Sequence, residues 1–104
     1  MNLLLGFLSG MFLANSLPHL INGVRGKKHM TPLAKDSSAL VNVVWAFVNI
    51  IFGVWLLQAS GATINDVLSL SSYSWSFMIG ALFMALSDAW LFGNPNARFP
   101  WFKK

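Results

Sequence analysis

The chain has 104 residues, of which 56% are apolar and only 10% charged, and its mean hydropathy is +0.60. A water-soluble domain of this length carries about 25% charged residues, so the composition excludes one and fits two or three membrane spans. Seven Lys or Arg stand against three acids, giving a net charge of +4, and the absence of cysteine excludes disulfides, thiolate nucleophiles and cysteine-held metal clusters.

Residues 3–21 form the first apolar run, long enough at 1.5 Å per residue to cross a hydrocarbon core about 30 Å thick. No Lys or Arg precedes it, which argues for a retained span over a cleaved signal peptide. Gly6, Gly10 and Ala14 recur at steps of four and predict a face for close helix packing. Pro18 removes a backbone donor and frees the Ala14 carbonyl, predicting a bend or hinge near the end of the span. The segment 22–37 that follows is short and basic, with Arg25, Lys27, Lys28 and Lys35.

Residues 39–57 are the cleanest span, preceded by the helix-starting cluster Asp36, Ser37 and Ser38. Asn42, Ala46, Asn49 and Gly53 share one of its faces, and Val44, Val48, Ile51 and Trp55 lie on the lipid-facing side. The next segment has no Lys or Arg; within it Thr63-Ile64-Asn65-Asp66 has the form of a capping box and predicts a helical turn at the surface. The third span covers about 73–92, and Gly93-Asn94-Pro95 reads as its stop. Ser72, Ser76 and Gly80 form one small-residue row along it, and Ala81, Ala85 and Ala89 form another, so it has faces for two neighbours. These rows suit packing within the chain and packing between chains. The tail 93–104 is aromatic and basic, with Arg98, Lys103 and Lys104.

The expected architecture is therefore an all-α, single-domain bundle of three transmembrane helices. Lys and Arg concentrate in the first connection and the tail, which predicts a cytoplasmic location for both and an amino terminus outside. Trp55, Tyr73 and Trp75 would then mark the outer boundary, and Trp90, Phe99, Trp101 and Phe102 the inner one. The basic residues Arg25, Lys27, Lys28, Arg98, Lys103 and Lys104 point to anionic lipid headgroups, not to nucleic acid, and a bacterial cytoplasmic membrane is the expected location.

Polar side chains at bilayer depth are costly and so need a partner or a purpose. Asn15 and His19 on the first span, Asn42 and Asn49 on the second and Asp88 on the third are the candidates for a ligand or ion path. Counted from the basic ends of the spans, Asn15, His19, Asn42 and Asp88 fall in one layer. By depth His19 is the best partner for Asp88, with Arg25, Lys27, Lys28 and Arg98 as competitors; the asparagines also suit plain interhelical hydrogen bonding. The sequence has no metal-ligand spacing and implies no cofactor. Ser16, His19 and Asp88 are the residue types of a hydrolytic triad, but no nucleophile turn or oxyanion loop surrounds Ser16, so an enzyme is not expected. The expected function is association between helices, as an accessory subunit of a membrane complex or as a homo-oligomer, with a homo-oligomeric transporter or channel as the alternative.

The run Asn15-Ser16-Leu17-Pro18-His19-Leu20-Ile21, followed by a basic loop and a second span with Trp45 and Gly53, resembles the three-span SemiSWEET sugar transporters. The resemblance implies a dimer with substrate between two copies and Pro18 as the hinge. His19 stands where that family has Gln, and no residue of the third span matches its substrate-binding asparagine.

Overall fold

The computed structural model describes residues 2–102. It is mostly helical, and three long apolar helices, each long enough to cross a membrane, pack together. They are α1 (Leu3–Val24), α2 (Ala39–Ser60) and α4 (Ser72–Phe92); a short α3 (Ile64–Leu68) joins α2 to α4, and a hairpin of β1 (His29–Thr31) and β2 (Ala34–Ser37) joins α1 to α2. The first two helices run three residues beyond their expected ends, to Val24 and Ser60. Hydropathy weakens at Asn22 and Gln58, but nothing there interrupts the backbone ladder. Gly61, at φ 86°, ends α2 in the left-handed geometry that glycine adopts without a Cβ penalty.

Side-chain caps set the helix starts. Asn2, Ser38 and Ser71 accept from the backbone N–H groups of Leu5, Val41 and Ser74. Thr63 and Asp66 form a reciprocal capping box on α3, where the sequence predicts a turn. The stop at Gly93 differs from expectation: its φ is −78°, an ordinary right-handed value, so glycine's conformational freedom is not used. The helix ends instead by tightening, with the Asn94 N–H donating to the Leu91 carbonyl before Pro95. α1 stays helical through Pro18, and the Asn22 side chain donates to the Pro18 carbonyl.

α1 lies in the middle and packs against both α2 and α4. A Cβ on Gly10 would stand 2.1 Å from the Phe77 carbonyl oxygen, and one on Gly80 would stand 2.0 Å from the Phe7 carbonyl oxygen. The two backbones therefore touch where these glycines cross. Gly6 faces Ser76, whose hydroxyl donates to the Leu3 carbonyl. Against α2, Gly53 receives Leu13 and Gly23 receives Val43, and the Ser9 hydroxyl donates to the Gly53 carbonyl at 2.7 Å. Much of what remains outside is large and apolar, including Leu40, Val44, Ile51, Trp55, Leu82, Leu86 and Trp90. Tyr73 departs from the expected aromatic boundary: it is buried and its hydroxyl donates to the Ser60 carbonyl, tying α4 to the end of α2.

Both glycine contacts are with backbone, so neither helix can give way by a rotamer change. Gly10→Leu and Gly80→Leu should each separate α1 from α4 at a cost of at least about 1–3 kcal/mol. Ala85 and Ala89 face outward, and leucine at either should leave folding unchanged. Reversible unfolding in micelles measures the difference.

Candidate functional site

Asn15, His19, Asn42, Asn49 and Asp88 form two groups across the three long helices. The first joins α1, α2 and the hairpin. His19 Nδ1 lies 2.8 Å from Asn42 Oδ1, and Asn42 Nδ2 lies 2.9–3.1 Å from the carbonyls of His29, Ser37 and Ser38. Because the amide nitrogen is committed to carbonyls, Oδ1 must accept, which puts a proton on His19 Nδ1. His19 and Asn42 are almost wholly buried. The hairpin is pinned from within by a 2.6 Å bond between the Thr31 and Ser37 hydroxyls. Its outer side is clasped by the tail, where Lys35 donates to the Pro95 carbonyl and Trp101 Nε1 to the Pro32 carbonyl. The His29 ring lies 4.1 Å from Phe92 and 5.2 Å from His19, centroid to centroid.

The second group joins all three long helices. Asn15 Nδ2 donates to Asn49 Oδ1 at 3.1 Å, and Asn49 Nδ2 donates to the Trp45 carbonyl at 2.9 Å. The other end of the Asn15 amide lies 2.9 and 3.1 Å from the Asp88 carboxyl oxygens. Asp88 thus meets Asn15, and His19 meets Asn42; these are different pairings from the one that depth alone favours. Ser16 donates to the Leu13 carbonyl, so Ser16, His19 and Asp88 each have a separate partner and do not form a relay.

Two hollows flank the seam between α1 and α4, and Asp88 lines both. One, of about 250 Å³, has Asn15, His19 and Trp45 in its wall and is bounded by Pro32 of the hairpin and Phe99 of the tail. The other, of about 350 Å³, runs between Ala14, Leu17 and Pro18 on one side and Ala85 and Ala89 on the other, with His29 at its end. Arg25, Lys27, Lys28 and Arg98 are exposed near the hairpin end of the bundle. Lys103 and Lys104 lie outside the described residues. The sequence reading missed His29 and Trp45 as site residues: a lone histidine in a basic loop carries no periodic signal, and Trp45 reads as one more apolar position.

Comparison with family models, with curated proteins and with solved structures finds no match.

Asn42 is the most heavily bonded side chain of the site. Asn42→Ala should leave His19 Nδ1 without its partner, remove the side-chain bonds to the His29, Ser37 and Ser38 carbonyls, and cost about 1–3 kcal/mol in reversible unfolding. Burial, and secondarily the neighbouring His19, hold the His29 imidazole below its usual pKa. The unfolded chain therefore takes up this proton more readily than the folded one. The contribution of His29 to stability should be complete above about pH 6.5 and fall as the pH drops through that value. Hydrogen exchange of the hairpin amides between pH 8 and pH 5 measures this, and His29→Phe should reduce the pH dependence.

Proposed function

We propose that this chain is a non-enzymatic integral membrane protein that acts by helix–helix association, as a homo-oligomer or as a small subunit of a larger membrane complex. The observation that carries the reading is the outer face of α4. α4 is packed chiefly on α1, while Ala85 and Ala89 stay exposed beside Ala14 and Pro18. In lipid, helices associate where small residues let backbones approach, and this face leaves such a groove open on one chain. Charge supports an orientation with the hairpin in the cytoplasm: the basic residues of the hairpin segment and Arg98 lie at one end, whereas the connection at the other end has no Lys or Arg. The same residues suit contact with anionic lipid.

One observation favours a second reading, a transporter or channel assembled from several copies. The 250 Å³ hollow has Asn15, His19 and Asp88 in its wall, and ionisable groups at membrane depth mark substrate and ion pathways. In that reading Asp88→Asn abolishes flux in proteoliposomes while leaving assembly intact.

Native mass spectrometry of the gently extracted protein tests the leading reading. A discrete homo-oligomer or a complex of fixed stoichiometry is expected, and leucine at both Ala85 and Ala89 should reduce it to monomer with helix content unchanged. A monomeric wild type, or assembly that survives both substitutions, overturns it.

A further inference from the structure

An amide has one donating end and one accepting end, and Asn15 stands between two groups that ordinarily accept. Asn49 Oδ1 lies 3.1 Å from Asn15 Nδ2, and the Asp88 oxygens lie 2.9 and 3.1 Å from the opposite end of the same amide. Turning Asn15 over would satisfy an ionised Asp88 but would set the Asn15 oxygen against Asn49 Oδ1. Turning Asn49 as well would only move the conflict, because Asn49 Nδ2 already donates to the Trp45 carbonyl at 2.9 Å. As long as Asp88 is an ionised carboxylate, some pair of acceptors along this line must face each other. One proton removes the charge from this line. An acid O–H on one Asp88 oxygen donates to Asn15 Oδ1, Asn15 Nδ2 donates to Asn49 and Asn49 Nδ2 donates to the Trp45 carbonyl, which leaves only the second, uncharged Asp88 oxygen beside Asn15 Oδ1.

We propose that Asp88 is a proton-binding site, and that the Asn15–Asn49 line reports its occupancy from α4 through α1 to α2. With Asn15 Nδ2 turned toward Asn49, Asp88 holds the proton. When the proton leaves as H⁺ into either of the flanking hollows, the Asn15 amide turns toward the carboxylate and the α1–α2 bond to Asn49 breaks. Among the described residues, the titratable groups that share those hollows with Asp88 are His19 of α1 in one and His29 of the hairpin in the other; α2 contributes only Trp45 there, and the described part of the tail only Phe99. His19 Nδ1 is committed to Asn42, so His29 is the titratable group nearer the hairpin surface through which a proton would pass. The inference requires the membrane span, and is independent of whether the chain assembles.

The sequence makes the test clean, since the chain has three acidic side chains, all Asp. Asp36 is exposed, and Asp66 accepts from the Thr63 backbone N–H and hydroxyl. Infrared spectra of the full chain in liposomes at pH 7 should contain the carbonyl band of one protonated carboxylic acid. That band should shift with ¹³C-labelled aspartate and with deuterium exchange, be lost in Asp88→Asn, and persist in Asp36→Asn and Asp66→Asn. Asn15→Ala should displace its frequency, because the acid loses its acceptor; this variant and the isotope shift carry the test if Asp88→Asn does not fold. Absence of the band, its survival in Asp88→Asn, or a frequency indifferent to Asn15→Ala overturns the proposal. So does a band that sodium suppresses where choline does not, since a metal cation would then be the occupant.

Discussion

The fold depends on how closely α1 can approach its two neighbours. Water drives apolar surfaces together, but lipid tails are as apolar as leucine, so inside a bilayer most of that drive is absent. What remains is dispersion at short range and the hydrogen bonds that short range permits. Gly10 against the Phe77 carbonyl and Gly80 against the Phe7 carbonyl bring α1 and α4 into backbone contact, while Gly53 and Gly23 make room for the Leu13 and Val43 side chains between α1 and α2. The apolar mass of the chain, in Leu82, Leu86, Trp90, Ile51 and Val44, faces outward and contributes to where the protein lies more than to how it folds.

Close approach then makes the polar residues usable. With the backbones this near, short side chains such as Ser9, Ser76 and Asn15 reach across an interface to a carbonyl or an amide on the next helix. Each such bond is worth about 1 kcal/mol or less between membrane helices, too little to assemble the bundle but enough to fix rotation and register. Asn42 extends the same logic beyond the membrane segment. By holding the carbonyls of His29, Ser37 and Ser38 it anchors the hairpin to α2, and the hairpin in turn holds the tail through Pro32 and Lys35. A connection that reads in sequence as a short basic loop is therefore folded onto the helix end.

The three spans were legible because hydropathy sums over about twenty residues and one polar position barely changes the total. The buried face of α2 was also legible, since Asn42, Ala46, Asn49 and Gly53 repeat with helical period and are all buried. The hairpin was not: its strands have three and four residues, too short for a period to show, and no local pattern announces the Thr31–Ser37 side-chain bond within it. The partners of the polar residues were half legible. Depth counting put them near one level but carries no information on rotation about the helix axes, and it used an end for α1 three residues too early. With α1 ending at Val24, Asn15 lies nine residues from that end and Asn49 ten from the start of α2, so the two meet.

That pairing bears on what Asp88 can be. Had its partner been a lysine or arginine, the two charges would have held each other ionised and the acid would be a fixed strut. An asparagine imposes no such choice, because its amide can present either a donor or an acceptor to the same place. Asp88 lines two hollows, which gives a proton on it a route in and out. Asn15 can satisfy Asp88 in either state only by turning over, and Asn49 sits directly behind it. The protonation of one side chain on α4 is thus bound to the contact between the other two long helices, with which α4 itself makes little direct exchange on the α2 side.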